Sequence, residues 1–178
     1  MVYTCRYDSP LGQIMLLSNG TELTGLWFEK SNQEQSLDRI EKHREKLPEE
    51  YEDYHEEALL IFGQTCNWLD VYFSGKAPDF TPPLYIEGTE FREAVWEILL
   101  EIPFGKTMTY GEIASRIARQ RGISKMSAQA VGGAVGSNPI SLIIPCHRVI
   151  GTNGRLVGYG GGLERKAELL KLEKARKL

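Results

Sequence analysis

The spacing of apolar residues changes its period once along this 178-residue chain. Near the start it is short. Val2–Tyr7 runs into the turn signal Ser9-Pro10-Leu11-Gly12. Gln13–Leu17 follows with Ile14, Leu16 and Leu17, and Leu23–Phe28 carries Trp27 and Phe28. Short apolar runs bounded by Gly, Pro and Asn predict three strands of an antiparallel meander. Asn19-Gly20 predicts a two-residue type I′ hairpin, which needs positive φ at both positions. From Ser31 to His55 the chain turns acidic and polar, interrupted by Pro48, with a short helix expected around Leu37–Glu45 and a loop after it. Beyond it the period lengthens to three and four: Leu59, Leu60, Phe62, Cys66, Leu69 and Phe73 predict a helix over Glu56–Phe73 with Cys66 in its packed stripe. The extended, proline-rich Asp79–Leu84 marks a boundary, dividing the chain into domains 1–85 and 86–178.

The second half reads as helical. Thr89 is placed to cap a helix through Leu100, with Phe91, Val95, Trp96, Ile98 and Leu99 facing inward and Pro103-Phe104-Gly105 breaking it. Thr109 and Glu112 form a capping box for a helix to about Ala118, its buried face made by Ile113, Ala114 and Ile117. After Arg119-Gln120-Arg121-Gly122, a second short helix starts near Ser127, and the pair predicts a helix-turn-helix. That second helix, Ala128-Gln129-Ala130-Val131-Gly132-Gly133-Ala134-Val135-Gly136, carries three interior glycines, each costing up to about 1 kcal/mol relative to alanine. Close approach of another surface is what such glycines serve: a narrow groove entered by a helix almost without side chains, or a tightly packed neighbouring helix. An amphipathic helix from Leu163 to about Arg176, with Leu169, Leu170 and Leu172, closes the chain.

Charge sharpens the division. Residues 1–85 hold 7 Lys/Arg against 15 Asp/Glu, a net −8, and residues 86–178 hold 14 against 9, a net +5. A polyanion would therefore meet the second half. No run approaches the roughly 20 apolar residues of a membrane span, and Met-Val-Tyr-Thr-Cys-Arg lacks the pattern of a signal peptide, so a cytoplasmic protein without membrane contact is expected. Three widely spaced cysteines, Cys5, Cys66 and Cys146, and three histidines give neither a disulfide framework nor a zinc spacing. No metal or cofactor is expected. Neither glycine cluster has the spacing of a nucleotide loop.

The candidate chemistry lies in Ile143-Ile144-Pro145-Cys146-His147-Arg148-Val149-Ile150. A thiol beside an imidazole and a guanidinium, inside an apolar run, admits two readings. One is a packed structural cysteine with a capping histidine; the other is a nucleophile with its base. Taken alone, the octapeptide leaves both open.

Pro145-Cys146-His147-Arg148-Val149 resembles the core of the O6-alkylguanine-DNA alkyltransferases. So do Gly132-Gly133-Ala134 and Ser137-Asn138-Pro139 upstream, Gly158 to Leu163 and Glu173 downstream, and the phrase from Pro103-Phe104-Gly105 to Tyr110. The resemblance covers about residues 88–174. It implies an α+β, two-domain protein: an N-terminal ribonuclease-H-like α/β domain with antiparallel strands, and a C-terminal, mostly helical, winged helix-turn-helix-like alkyltransferase domain. It implies DNA repair by stoichiometric transfer of an alkyl group from O6-alkylguanine, and from O4-alkylthymine, to Cys146, ending the protein's activity.

The resemblance also implies roles. Cys146 is the nucleophile and His147 its base through a bridging water. Glu173 orients the imidazole, Asn138 fixes the turn, and Tyr110 protonates guanine N3 as the base leaves. Val149, Tyr159 and Gly160 hold the base edge, while Ala128, Gln129, Ala130 and Gly132 meet the minor groove of double-stranded DNA from which the base is flipped. A monomer is expected. The chain departs from the family's pattern at Gln129, where an arginine is common, and at Gly160, where a side chain is often found. Two rivals stand beside this reading. A lesion binder without chemistry would lack the cysteine that this chain has, and a Cys146–His147–Glu173 hydrolase would leave the helix-turn-helix without a purpose.

Overall fold

Strands β1 (Tyr3–Ser9), β2 (Gly12–Ser18) and β3 (Leu23–Phe28) form an antiparallel sheet in the order β1-β2-β3. The computed structural model describes residues 2–29 and 56–177, so the helix expected over Leu37–Glu45 lies outside the described residues. The two-residue hairpin is Pro10-Leu11, because Ser9 pairs directly with Gly12. At Asn19-Gly20 the expected type I′ turn is absent. Ser18 pairs with Leu23 across a four-residue loop, and only Gly20 has positive φ (113°). The Asn19 carboxamide accepts from the Thr21 and Glu22 N–H groups, and this side-chain turn replaces the backbone one. Ile14, Leu16, Leu26 and Phe28 share one face of the sheet by register and are buried. Helix α1 (Glu56–Phe73) packs on the sheet.

The buried arc of α1 is Ala58, Ile61, Phe62, Thr65, Leu69 and Tyr72, with Trp68 beside it. Leu59 and Leu60, assigned to the buried stripe from sequence, are 50% and 64% exposed. Ala58 to Phe62 is an unbroken apolar run, in which spacing cannot choose a face; packing on the sheet chooses Ala58, Ile61 and Phe62. Cys66 and Phe73 lie at the half-buried margin of the arc. This unit comprises residues 1–85 and the other residues 86–178.

The second unit contains α2 (Glu90–Leu100), α3 (Tyr110–Arg121), α4 (Ala128–Gly136) and α5 (Leu163–Leu172). Their starts follow the chain's capping chemistry. Thr89 accepts from Arg92 N–H, Ser127 accepts from Ala130 N–H, and Thr109 and Glu112 exchange bonds of 3.1 and 2.7 Å. Gly122 in the left-handed region (φ 64°) ends α3 at Arg121, three residues past the expected stop. Val95, Trp96, Ile98, Leu99, Ile113, Ile117, Val131 and Val135 form the core, and the Trp96 indole donates to Ala134 O at 2.9 Å, tying α2 to α4.

This unit is not purely helical. Strand β4 (Lys106–Thr109) runs parallel to β5 (Val149–Ile150) on one side and to β6 (Arg176–Lys177) on the other. Strands of two to four residues are too short to give a period, so the sequence did not announce them. They matter because β4 leads into Tyr110, β5 leaves Cys146–Arg148, and β6 follows Glu173. Helix α5 also stops earlier than expected, at Leu172. Lys174 takes a left-handed conformation (φ 50°), and Lys174 and Ala175 N–H donate to Lys171 O and Leu170 O, a Schellman ending. The result is the two-domain α+β fold expected from the sequence, with an N-terminal antiparallel sheet and a C-terminal helical domain.

Candidate active site

Pro145 presents Cys146 by a turn rather than an extended strand. Its φ of −81° and ψ of 65°, with Cys146 N–H donating to Ile144 O at 2.8 Å, make an inverse γ-turn that the pyrrolidine ring is already shaped for. Cys146–Arg148 then forms a single 3-10 turn closed by Val149 N–H on Cys146 O. This bend brings neighbouring side chains of the octapeptide to one site. Asn138 braces it: its amide donates to Ile144 O at 2.7 Å and accepts from Ile140 N–H at 3.0 Å. Both groups are buried, and each would cost about 1–3 kcal/mol if left unpaired.

Behind the thiol lies a fully enclosed polar chain. His147 Nε2 is 2.6 Å from Glu173 Oε1, and neither side chain is exposed. Arg148 reaches the same carboxylate through Nε at 2.9 Å and Nη2 at 3.1 Å, and its Nη1 donates to Ile102 O at 2.6 Å. Gly105 N–H adds a fourth donor, 3.0 Å from Glu173 Oε2. Gly105 is required there, with φ of 77° and a Cβ position only 3.0 Å from Glu173 O. Burial alone would raise the Glu173 carboxyl, but the His147 and Arg148 bonds and charges hold it at about 2. Burial lowers His147, outweighing the carboxylate's pull, so the imidazole is neutral. With Nε2–H given to the carboxylate, Nδ1 carries the basic lone pair.

Burial also pushes the Cys146 thiol up, while the Asn138 amide, the Lys166 ammonium and the N–H groups of Cys146 and His147 pull it down. The thiol is therefore held protonated and is ionised only with help. Lys166 is a component the sequence reading missed. It is wholly buried, its ammonium donates to Val157 O and Gly158 O at 3.1 Å each, and it lies 5.9 Å from the Tyr110 ring centre. Desolvation lowers it to about 8. Its signal was present: Lys166, Leu169 and Glu173 recur at spacings of three and four on the inner side of α5, a lysine in an apolar stripe.

Tyr110 donates to Val157 O at 2.8 Å, and burial and the Cys146 charge raise its hydroxyl. Tyr159 is raised well above its ordinary value by burial and Cys146, and its buried Oη has no hydrogen-bond partner among the described residues. Both tyrosines thus stand near the thiol. Val149 is buried in β5, and Gly160 is exposed on the loop leading to α5.

Of the residues singled out from sequence, Cys146, His147, Glu173, Asn138, Tyr110 and Tyr159 come together. Ala128, Gln129 and Ala130 are instead exposed on α4. The glycines of α4 resolve one open alternative. A Cβ at Gly133 or Gly136 would meet nothing within 4 Å, and at Gly132 only the Tyr110 ring at 3.9 Å. Among the described residues, no neighbouring helix packs against α4 at Gly133 or Gly136. Among the described residues no group of three or more His, Cys, Asp or Glu is arranged to hold a metal ion, and no helix is long and apolar enough to cross a membrane.

A braced, buried thiol beside the His147–Glu173 pair, in a domain that also carries the bare helix α4, fits a cysteine transferase acting on DNA. The chain belongs to the 6-O-methylguanine DNA methyltransferase family: the family's DNA binding domain matches residues 90–175, and its ribonuclease-like domain matches residues 1–86. It is 41% identical to the methylated-DNA–protein-cysteine methyltransferase of Haemophilus influenzae over 174 residues, 97% of this chain and 87% of that protein. Among solved structures it is similar to the Mycobacterium tuberculosis O6-methylguanine methyltransferase, at 40% identity and a TM-score of 0.75, covering 98% of this chain and 93% of that one. It is also similar to M. tuberculosis OGT in complex with DNA, at 35% identity and a TM-score of 0.66, covering 95% and 91%.

Proposed function

We propose that the protein repairs DNA by moving the alkyl group of O6-alkylguanine, and of O4-alkylthymine, onto Cys146 Sγ. The carrying observation is the enclosed pair of neutral His147 and Glu173 next to the buried Cys146 thiol, with Arg148 balancing the carboxylate. In the reaction His147 Nδ1 takes the thiol proton, through a water bridging the two, and the imidazolium is stabilised by Glu173. Sγ attacks the alkyl carbon, the carbon–O6 bond breaks, and its electron pair stays on guanine. Tyr110 Oη leaves Val157 O and delivers a proton to guanine N3, so the base departs neutral. Lys166 keeps Val157 O satisfied during that exchange and favours the thiolate electrostatically.

A thiol so deeply set cannot reach a base inside a duplex, so the nucleotide is flipped out, at a cost of a few kcal/mol. Val149, Tyr159 and Gly160 line the receiving pocket, and the unfilled Tyr159 hydroxyl supports that assignment. The exposed Ala128, Gln129, Ala130 and Gly133 of α4, with half-buried Gly132 beside them, fit a minor groove that bulkier side chains would not enter. The C-terminal domain, residues 86–178, carries both DNA contact and chemistry in a cytoplasmic monomer. Unlike a thioester, the thioether product resists water, so each molecule acts once.

The test is intact-mass measurement after mixing with a duplex containing O6-methylguanine. The wild-type protein gains one methyl group, mapped to the Cys146 peptide, and Cys146→Ala gains none. A methyl group on any other residue, or an unchanged wild-type mass with the lesion intact, would overturn the proposal.

A further inference from the structure

Two cysteines remain outside this chemistry, and the N-terminal unit brings them together. By register Cys5 lies opposite Leu16 and Tyr7 opposite Ile14, so Cys5 and Tyr7 share one face of the sheet. That face meets α1: the Tyr7 hydroxyl donates to Asp70 Oδ1 at 2.7 Å, and the Tyr7 and Phe73 rings stack at 6.3 Å. Cys5 is two residues along the strand from Tyr7, and Cys66 is one helical turn from Asp70, so the same contact aligns both cysteines. The two thiols adjoin across the strand–helix seam, near enough for Cys5 to push the Cys66 thiol up. Both are free and half-buried, within reach of a small reagent.

We propose that Cys5 and Cys66 are a redox modification site, closed to an intramolecular disulfide by a small disulfide of the glutathione class and reopened by thiols. The exchange has two steps. The Cys5 thiolate attacks one sulfur of glutathione disulfide, whose S–S bond breaks to release one glutathione. The Cys66 thiolate then attacks the Cys5 sulfur of the mixed disulfide and expels the second glutathione. The protein loses two hydrogens, and the two glutathione molecules carry them. Cys5 opens the sequence because burial, followed by the Cys5 and Asp70 charges, pushes the Cys66 thiol up to about 11. The same effect makes the second step slow at neutral pH and faster as pH rises. The bond would close a loop of roughly sixty residues, pinning α1 to β1 in the oxidised form.

The full-length protein is incubated with glutathione disulfide at about pH 8.5, where free thiols are largely reactive, trapped with an alkylating agent, and peptide-mapped without reduction. The expected product has lost two hydrogens, yields one cross-linked Cys5–Cys66 peptide pair, and is restored by dithiothreitol. Cys5→Ser and Cys66→Ser lose the cross-link and keep a glutathione adduct on the remaining cysteine of the pair. Because the wild-type map decides the question, a poorly folded variant does not obscure it. Three outcomes overturn the proposal: a lasting glutathione adduct on wild-type Cys5 or Cys66 without the cross-link, a cross-link to Cys146, or both thiols unmodified after prolonged exposure.

Discussion

Replacing Glu173 by glutamine keeps the side chain's shape and removes the charge on which His147, Arg148 and the Gly105 N–H converge. In the folded protein this carboxyl sits at about 2 against an ordinary 4.5. At about 1.4 kcal/mol per pH unit, that difference is worth about 3 kcal/mol of folding stability. Because the folded value lies below the unfolded one, this stability is complete above about pH 4.5 and is lost as pH falls toward 2. Removing one partner of a buried ion pair costs about 3–5 kcal/mol by an independent route, since the Arg148 guanidinium would be left enclosed without its counter-charge. Glu173→Gln should therefore melt roughly 10 °C lower at pH 7. It should also flatten the acid-induced loss of stability between pH 4.5 and 2. Alkyl transfer should slow by about 100-fold, the scale of a disabled proton acceptor. Thermal melts at stepped pH and single-turnover transfer rates check both parts. A variant as stable as the wild type at pH 7, with the same acid profile, would refute the ion-pair reasoning.

Other changes probe the remaining parts. Lys166→Gln removes the ammonium that favours the Cys146 thiolate. As Lys166 titrates at about 8, the variant's deficit in transfer rate should be largest below pH 8 and shrink above it; a deficit constant from pH 7 to 9.5 would contradict that role. Gly133→Ala places a methyl group where nothing lies within 4 Å, so α4 should gain up to about 1 kcal/mol of stability while duplex binding weakens, by melting and titration respectively. Unchanged binding would show that the bare face of α4 does not meet DNA. Gln129→Arg adds a cation to the exposed surface of α4, so duplex affinity at low salt should rise and the salt slope should steepen by about one ion. A slope equal to the wild type's would place residue 129 away from the phosphates.

The sequence made the larger organisation legible, and the reasons are specific. Helices α1 to α4 carry a clear three-to-four spacing or a capping residue, and local chemistry decided the starts of α2, α3 and α4. Cys146, His147, Glu173 and Asn138 were singled out because the motifs around a suspect thiol resemble those of the alkyltransferases. What stayed hidden depended on contacts between distant segments. Leu59 and Leu60 sit in an apolar run whose face is chosen by the sheet beneath it. The short parallel strands that set Tyr110, Val149 and Glu173 beside one another have no period of their own. Lys166 was passed over because a lysine in a helix is ordinarily solvated, and its burial follows from the carbonyls of Val157 and Gly158 turning inward to receive it. The 3-10 turn and the stop of α5 at Leu172 bring Arg148 onto Glu173, another contact between distant segments.

Counting alkyl groups tests the central claim most directly. With O6-methylguanine duplex in tenfold excess, the account predicts that transfer stops at one methyl group per protein chain, held on Cys146 and stable to prolonged incubation in water. Continued loss of the lesion beyond one equivalent, or regeneration of the free Cys146 thiol, would contradict it.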